Sequence, residues 1–138
     1  DTIEPVSRVG KRHSLHLGAG GKCLLAFLPQ SKVDAILEDI DMVQKTRFTI
    51  TDQNELRREL ETIRDRGYAL NDRETYPETR SVGAPVIYDG EPLGAVVVAA
   101  PSHRMNEERF TETIPDQLLG ATEEMQVKLK YGDYTSRR

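Results

Sequence analysis

The segment 15–29 constrains the fold of this chain most, because it joins a glycine cluster and one lysine to a short apolar run that ends at Pro29. Its sequence is LHLGAGGKCLLAFLP, with glycines at positions 18, 20 and 21. A glycine-rich turn that begins a helix presents free backbone N–H groups at the positive end of the helix dipole, which favours a small anion. The ammonium group of Lys22 would strengthen that preference. The same glycines also permit a tight turn with closely packed backbones, so this segment alone leaves both interpretations open.

The spacing around Lys22 argues against a nucleoside triphosphate as the ligand. A phosphate-binding P-loop requires glycine, four residues, glycine, lysine and then serine or threonine. Here Cys23 follows Lys22, so the pattern is broken. The segment therefore favours a carboxylate or a similar small anion.

The composition is that of a single domain without a nucleic-acid or membrane signature. The 138 residues fit one domain, and the net charge of −4 comes with no lysine-rich or arginine-rich run. The longest apolar runs, 23–28 and 95–100, are much shorter than the roughly 20 residues that span a bilayer. One cysteine cannot form an internal disulfide, which favours a reducing, cytoplasmic setting.

Turn residues and apolar periodicity predict an α+β domain. Asp52 and Glu55 form a capping-box-like start for the clearest helix, and Gly67 is its natural stop. Asp89 and Gly90 separate two strand-like runs and predict a β-hairpin. A chain that carries helices first and an antiparallel hairpin afterwards belongs to the α+β class.

The remaining predictions concern single elements along the chain. The continuous apolar run 96–98 predicts a strand that is buried on both faces, and residues 46–51 predict an extended linker. Ser31 predicts the N-cap of the second helix. The predicted strands are Ile3–Gly10, Arg12–Leu17, one that begins at Tyr68–Leu70, Val82–Tyr88 and Leu93–Ala100, and the predicted helices cover about 19–28, 31–39, 53–66 and 113–130.

An ordered series of motifs carries a resemblance to a known family. The motifs are VGKR at 9–12, LH at 15–16, AGGK at 19–22, LLA at 24–26, TRFTITD at 46–52, GYA at 67–69, Asp72, Glu74, GAPV at 83–86, Pro101 and Arg104. In this order and spacing, the chain is similar to the effector-binding domain of the IclR family of transcriptional regulators. The match extends from near the start of the chain to its final helix.

The resemblance implies a ligand sensor and not an enzyme, with no cofactor. The implied fold is a GAF-like curved antiparallel sheet flanked by helices, N-terminally incomplete because the family normally has a helix and a pair of strands before Ile3. Residues 1–138 would form one effector-binding domain, a fragment of a longer regulator whose N-terminal winged helix-turn-helix lies outside this chain. Such regulators sense a small organic acid, assemble as homodimers or homotetramers and contact DNA only through that N-terminal domain.

The resemblance also implies the residues of a ligand pocket. Backbone amides at Ala19 and Gly20 match the loop that holds the carboxylate of the ligand. The other matched positions are Gly21 and Lys22 in the same loop, Asn71, Asp72 and Glu74 after the GYA motif, Ser81 at the head of the next strand, and Val97 and Ala99 on the last strand. Some relatives carry small polar residues at the last two positions. Valine and alanine therefore favour a more apolar ligand than glyoxylate or pyruvate, with an aromatic or branched-chain body.

Several alternatives stay open at this point. Asp72 and Glu74 would be solvated acids, and Lys22 would pair with a structural acid, if these side chains lie outside the pocket. A GAF-like sensor of another signalling protein would share the domain features, and a domain that serves only in assembly would need no ligand. Cys23 at a helix start, with His16 nearby, would suit a small hydrolase. With His13 these two residues do not match a closed zinc site, so no metal ion is expected.

Overall fold

The structure is a computed structural model that describes the backbone of residues 12–132 and the side chains of residues 15–132. It is an α+β domain, as the sequence predicts, with helices packed on both faces of one antiparallel sheet. The predicted strand Ile3–Gly10 lies outside the described residues. The helices are α1 (Ala19–Phe27), α2 (Gln30–Asp39), α3 (Gln53–Arg66) and α4 (Ile114–Val127), and the strands are β1 (Ala69–Asp72), β2 (Thr79–Tyr88) and β3 (Glu91–Pro101).

The register of the three strands sorts their side chains onto two faces. Strand β2 lies between β1 and β3 and pairs antiparallel with both. Asn71 lies opposite Ser81, and Ser81 lies opposite Ala99. Directly opposite residues share a face and the faces alternate along each strand, so Gly83 and Val97 belong to the same face as these three. Helix α1 packs on this face, and α4 packs on the other.

The strongest local signals in the sequence are confirmed. The Asp52 carboxylate accepts a hydrogen bond from the Glu55 backbone N–H at 2.9 Å and so caps α3. Gly67 ends this helix in the left-handed region, with a φ of 98°. Asp89 and Gly90 have φ values of 56° and 86°, the two positive values that a type I′ hairpin turn requires. The hairpin and the longest amphipathic helix therefore form as predicted.

Two strand predictions are wrong. Residues Arg12–Leu17 form a 3-10 helix, which brings the Leu15 carbonyl group back against Gly21 of α1; an extended strand would carry it away. Val97 and Val98 are 44 % and 36 % exposed, so β3 is not buried on both faces. The reason is that β3 is an edge strand of the described sheet, where α1 and α4 cover only part of each face.

Two smaller predictions before α3 are also wrong. Helix α2 begins at Gln30 with Pro29 as its N-cap residue and without a side-chain cap, so Ser31 lies inside the first turn of the helix. The segment 46–51 contains a turn, in which the Thr49 backbone N–H donates to the Thr46 carbonyl oxygen at 3.2 Å. The Thr49 hydroxyl oxygen also accepts from the Thr46 N–H at 2.9 Å. These local bonds compete with an extended conformation.

Helix α1 approaches its neighbours so closely that two positions require glycine. A Cβ atom on Gly21 would collide with the Leu15 carbonyl oxygen, which is backbone and cannot rotate away. A Cβ atom on Gly83 would lie 2.9 Å from the Ala19 carbonyl oxygen. Within the glycine cluster, Gly21 thus serves close backbone packing, one of the two interpretations that the sequence left open.

Replacing Gly21 by alanine is expected to destabilise the domain by about 1–3 kcal/mol, because the new Cβ forces the backbone of α1 away from Leu15. Gly120→Ala in α4 is the matched control, since nothing lies within 4 Å of a Cβ there. Alanine at an exposed helical position should stabilise the domain by up to about 1 kcal/mol. Urea unfolding of both variants measures the two changes, and an equal stability of both would contradict the close approach.

Candidate ligand-binding site

The first turn of α1 lies against the sheet without a side-chain cap. Its N-cap residue, Gly18, is extended (φ −144°, ψ 164°) and offers no side-chain oxygen. The Lys22 N–H donates to the Gly18 carbonyl oxygen at 3.0 Å and closes the first turn. The N–H groups of residues 19–21 precede this bond, and such groups, with the helix dipole, bind anions. The helix start therefore stays the candidate for the predicted anion site.

Four of the predicted pocket residues share the sheet face on which this helix start rests. Asn71 and Ser81 are buried and polar, whereas Val97 and Ala99 are exposed and apolar. A Cβ atom on Gly20 would lie 3.1 Å from Cγ2 of Val97, so the helix start and β3 are in direct contact. The helix start thus lies beside two buried polar side chains on β1 and β2 and two exposed apolar side chains on β3.

The ammonium group of Lys22 is fully buried, at 0 % exposure, and is held by protein acceptors. Nζ donates to the Leu70 carbonyl oxygen at 2.7 Å, to the Glu74 carboxylate at 2.9 Å and to the Glu59 carboxylate at 3.2 Å. An ammonium group has three N–H donors, and these three acceptors use all of them. The structure therefore places Lys22 in a structural ion cluster, which is the alternative that the sequence left open.

Glu74 connects three parts of the domain. Burial raises the pKa of its carboxyl, against the opposing effects of the Lys22 charge and hydrogen bond. Its backbone N–H donates to Oδ1 of Asn71 at 2.9 Å, and its carbonyl oxygen accepts from the Thr49 hydroxyl at 2.5 Å. Glu74 is therefore a junction between α1, Asn71 and the segment before α3, and not a solvated loop acid.

Asp72 lies on the opposite face of the sheet from Asn71, because adjacent residues of a strand alternate. Its carboxylate accepts from Nε of Arg80 at 2.9 Å and from Nε of Arg73 at 3.0 Å. Burial acts to raise the pKa of Asp72, but the hydrogen bonds and charges of the two arginines outweigh it and lower the pKa. Arg80 lies over the ring of Phe110, which packs on the α4 side. The structure therefore separates Asp72 from the other predicted pocket residues.

The hydrogen bonds of two residues around the helix start were not predicted from the sequence. The Thr75 hydroxyl donates to the Leu17 carbonyl oxygen and accepts from Nδ2 of Asn71 at 3.0 Å. His16 is fully buried, and its Nε2 is bonded to the Val43 carbonyl oxygen at 2.8 Å. The bonds of Thr75 to Leu17 and of His16 to Val43 join segments that are far apart along the chain, and neither residue type nor spacing indicates them.

Cys23 does not have the properties of a nucleophile. Its thiol is fully buried, and burial raises the thiol pKa to about 12. Since the thiolate is the reactive form, the hydrolase alternative has no support at this residue. Within residues 15–132, no three His, Cys, Asp or Glu side chains converge as metal ligands. None of the described helices has the length and apolar character to cross a membrane.

Comparisons with known proteins identify the family of this domain. The family model described as the C-terminal domain of the bacterial transcriptional regulator IclR matches residues 1–126. The chain therefore belongs to the IclR family and represents its C-terminal, effector-binding part. Its relatives are transcriptional regulators and not enzymes, as the resemblance in the sequence implies.

Individual relatives define the extent of the similarity. The probable HTH-type transcriptional regulator ArcR of Halobacterium salinarum is 36 % identical over 117 residues, which are 84 % of this chain and 44 % of ArcR. The structure of Thermotoga maritima IclR has a TM-score of 0.80 at 36 % identity and covers 85 % of this chain and 47 % of its own. A double mutant of the Acinetobacter PobR inducer-binding domain, solved with 3-hydroxybenzoic acid, has a TM-score of 0.76 at 21 % identity over 81 % of this chain and 66 % of its own, a similarity of fold alone. The chain spans about half the length of the curated relatives it matches.

The buried His16 is expected to make stability depend on pH. Burial lowers its pKa, more than the Val43 hydrogen bond and the Asp41 charge raise it, so the folded domain holds the neutral form. The unfolded chain gains a proton near the ordinary pKa of 6.5, and the stability that His16 contributes is lost as the pH falls through that region. His16→Gln keeps a donor for Val43 without titrating. The difference in Tm between the natural chain and this variant should shift in favour of the variant from pH 7.5 to 5.5, and a constant difference would contradict the assignment.

Proposed function

We propose that this domain senses a small organic acid whose carboxylate binds the N–H groups at the start of α1. The observation that supports this proposal is the uncapped first turn of a nine-residue helix, placed directly against the sheet face of Asn71 and Ser81. A carboxylate would complement both the backbone N–H donors and the dipole at this position. The predicted ligand contacts are thus the backbone at Ala19, Gly20 and Gly21, together with side chains of the sheet.

The rest of the ligand is expected to be apolar at one side and polar at the other. Asn71 and Ser81 supply hydrogen-bonding groups on β1 and β2, whereas Val97 and Ala99 supply only hydrocarbon on β3. An acid with an aromatic or branched-chain body fits this division better than glyoxylate or pyruvate. A double mutant of the PobR inducer-binding domain, which has the same fold, was solved with an aromatic acid, 3-hydroxybenzoic acid, and this class is the starting point.

The proposed role of binding is to control transcription in the cytoplasm. ArcR and other relatives are helix-turn-helix regulators about twice as long as this chain, so we place residues 1–138 as one effector-binding domain of such a regulator. Its DNA contacts would lie in an N-terminal winged helix, and it would act as a homodimer or homotetramer. A ligand shifts the equilibrium between two assembly states only by its difference in affinity for them.

Organic acids are expected to raise the Tm of the 138-residue chain. A panel of benzoate, 3-hydroxybenzoate, 2-oxoisovalerate, pyruvate and glyoxylate tests the class, with the methyl ester of each acid as the uncharged control. At a concentration 100 times the Kd, an acid stabilises the folded state by about 2.7 kcal/mol, which corresponds to a shift of about 10 °C. Benzoates and 2-oxoisovalerate should give larger shifts than glyoxylate. If no acid exceeds its ester, the carboxylate proposal is wrong.

Val97→Ser is expected to change which acid binds. The substitution places a hydroxyl group beside Gly20 and removes hydrocarbon from the apolar wall, so the affinity for 3-hydroxybenzoate should fall about tenfold relative to that for pyruvate. Val98→Ser is the matched control, because Val98 lies on the same strand but on the opposite face. Calorimetric titration of both variants gives the two ratios. Equal changes in the two variants would place the ligand away from Val97.

A further inference from the structure

A directional chain of hydrogen bonds runs beside the start of α1. It begins at the Leu17 carbonyl oxygen, directly before the N-cap glycine, which accepts from the Thr75 hydroxyl. The hydroxyl oxygen of Thr75 accepts from Nδ2 of Asn71 at 3.0 Å, and Oδ1 of Asn71 accepts from the Glu74 backbone N–H at 2.9 Å. The segment 71–75 is thereby attached to Leu17, the residue before the N-cap of α1.

The same segment is fixed a second time, to the first turn itself. The Glu74 carboxylate accepts from Nζ of Lys22 at 2.9 Å, and the backbone N–H of Lys22 closes the turn on Gly18. The segment 71–75 is therefore attached at two points, to the Leu17 carbonyl oxygen before α1 and to the Lys22 side chain in its first turn. The backbone N–H groups of residues 19–21 lie between these two points of attachment.

The donors and acceptors of this chain allow only one orientation of the Asn71 amide. The Thr75 hydroxyl has a single proton, which it donates to Leu17, so it must accept from the amide nitrogen. The Glu74 backbone N–H can only donate, so it must face the amide oxygen. Both ends of the amide thus require the same orientation. Glu74, whose N–H faces the amide oxygen, is itself held by the ion pair with Lys22.

We propose that Lys22 and Glu74 are positioning residues, which set the distance and orientation between the N–H groups at the start of α1 and the amide of Asn71 without contacting the ligand. This inference rests on the proposed function, because those two features form the two ends of the proposed acid site. The ion pair acts through Glu74, whose main chain orients Asn71 while its side chain holds α1. Loss of the pair would allow the segment 71–75 to move relative to the helix start.

Glu59 provides a matched control for Glu74. It contacts the same ammonium group at 3.2 Å, but it lies on α3 and not in the segment 71–75. Removing either carboxylate leaves Lys22 with the other one and with the Leu70 carbonyl oxygen. The two substitutions therefore have similar consequences for the buried charge and different consequences for the proposed site.

The experiment compares Glu74→Ala, Glu74→Gln and Glu59→Ala in the 138-residue chain. Without ligand, the NMR signals of the Asn71 side-chain amide and of the Ala19 and Gly20 backbone amides should move in Glu74→Ala and stay in place in Glu59→Ala. With 3-hydroxybenzoate as the probe, Glu74→Ala should weaken binding about tenfold and Glu59→Ala less than about twofold. Glu74→Gln retains an acceptor oxygen for Lys22 and should restore most of the affinity.

The outcomes separate this inference from the proposed function. Equal movement of the amide signals in Glu74→Ala and Glu59→Ala, or no movement in either, overturns the positioning role whatever the chain binds. If the natural chain does not bind 3-hydroxybenzoate or another acid of the panel, the proposed function fails, and the NMR comparison alone decides the positioning role. Thr75→Val cuts the chain of bonds at its other attachment and should move the Asn71 amide signal as Glu74→Ala does; an unchanged signal there overturns the inference as well.

Discussion

A lysine ammonium group that is completely buried must find acceptors inside the protein, because an unpaired interior charge costs several kcal/mol. Lys22 finds them on three different elements: Glu59 on α3, the Leu70 carbonyl oxygen on β1, and Glu74 in the loop that follows β1. These acceptors meet at one point only when α1, α3 and the sheet take their observed arrangement. The cluster therefore holds the helix start against the sheet together with the apolar packing of α1 in the core.

The parts of the fold that the sequence predicts correctly depend on residues close together in the chain. The Asp52 cap, the Gly67 stop and the turn at Asp89 and Gly90 each involve neighbours within a few positions. The parts that it does not predict depend on distant partners. Lys22 meets Glu59 and Glu74 across 37 and 52 residues, and no local pattern encodes such a pairing. For the same reason the segment Arg12–Leu17 has strand-like composition and still forms a 3-10 helix against α1.

Asn71 and Asp72 are neighbours in the sequence, but the fold places them on opposite faces of β1. The resemblance selects the run that follows the GYA motif, and it includes Asn71 and Asp72 together. A strand exposes adjacent residues to opposite sides, so only Asn71 faces the helix start, whereas Asp72 serves Arg80 on the other face. The alternation is a property of any strand, but which face lies under α1 follows only from the packing of Ala19 on Gly83.

The two sides of the proposed acid site differ in how firmly they hold the helix start. Hydrogen bonds and the buried ion pair attach the segment 71–75 to α1 on one side, whereas β3 meets the helix through apolar contacts such as that of Val97 with Gly20. Strand β3 is also an edge strand with exposed side chains in the described sheet. A ligand can favour one of two states only through contacts that differ between them. The contacts most able to differ are those to β3, because the opposite wall cannot move without breaking a buried charge cluster. On this physical basis, the wall of Asn71 and Ser81 would serve to hold an acid, and the wall of Val97 and Ala99 would carry the response to it.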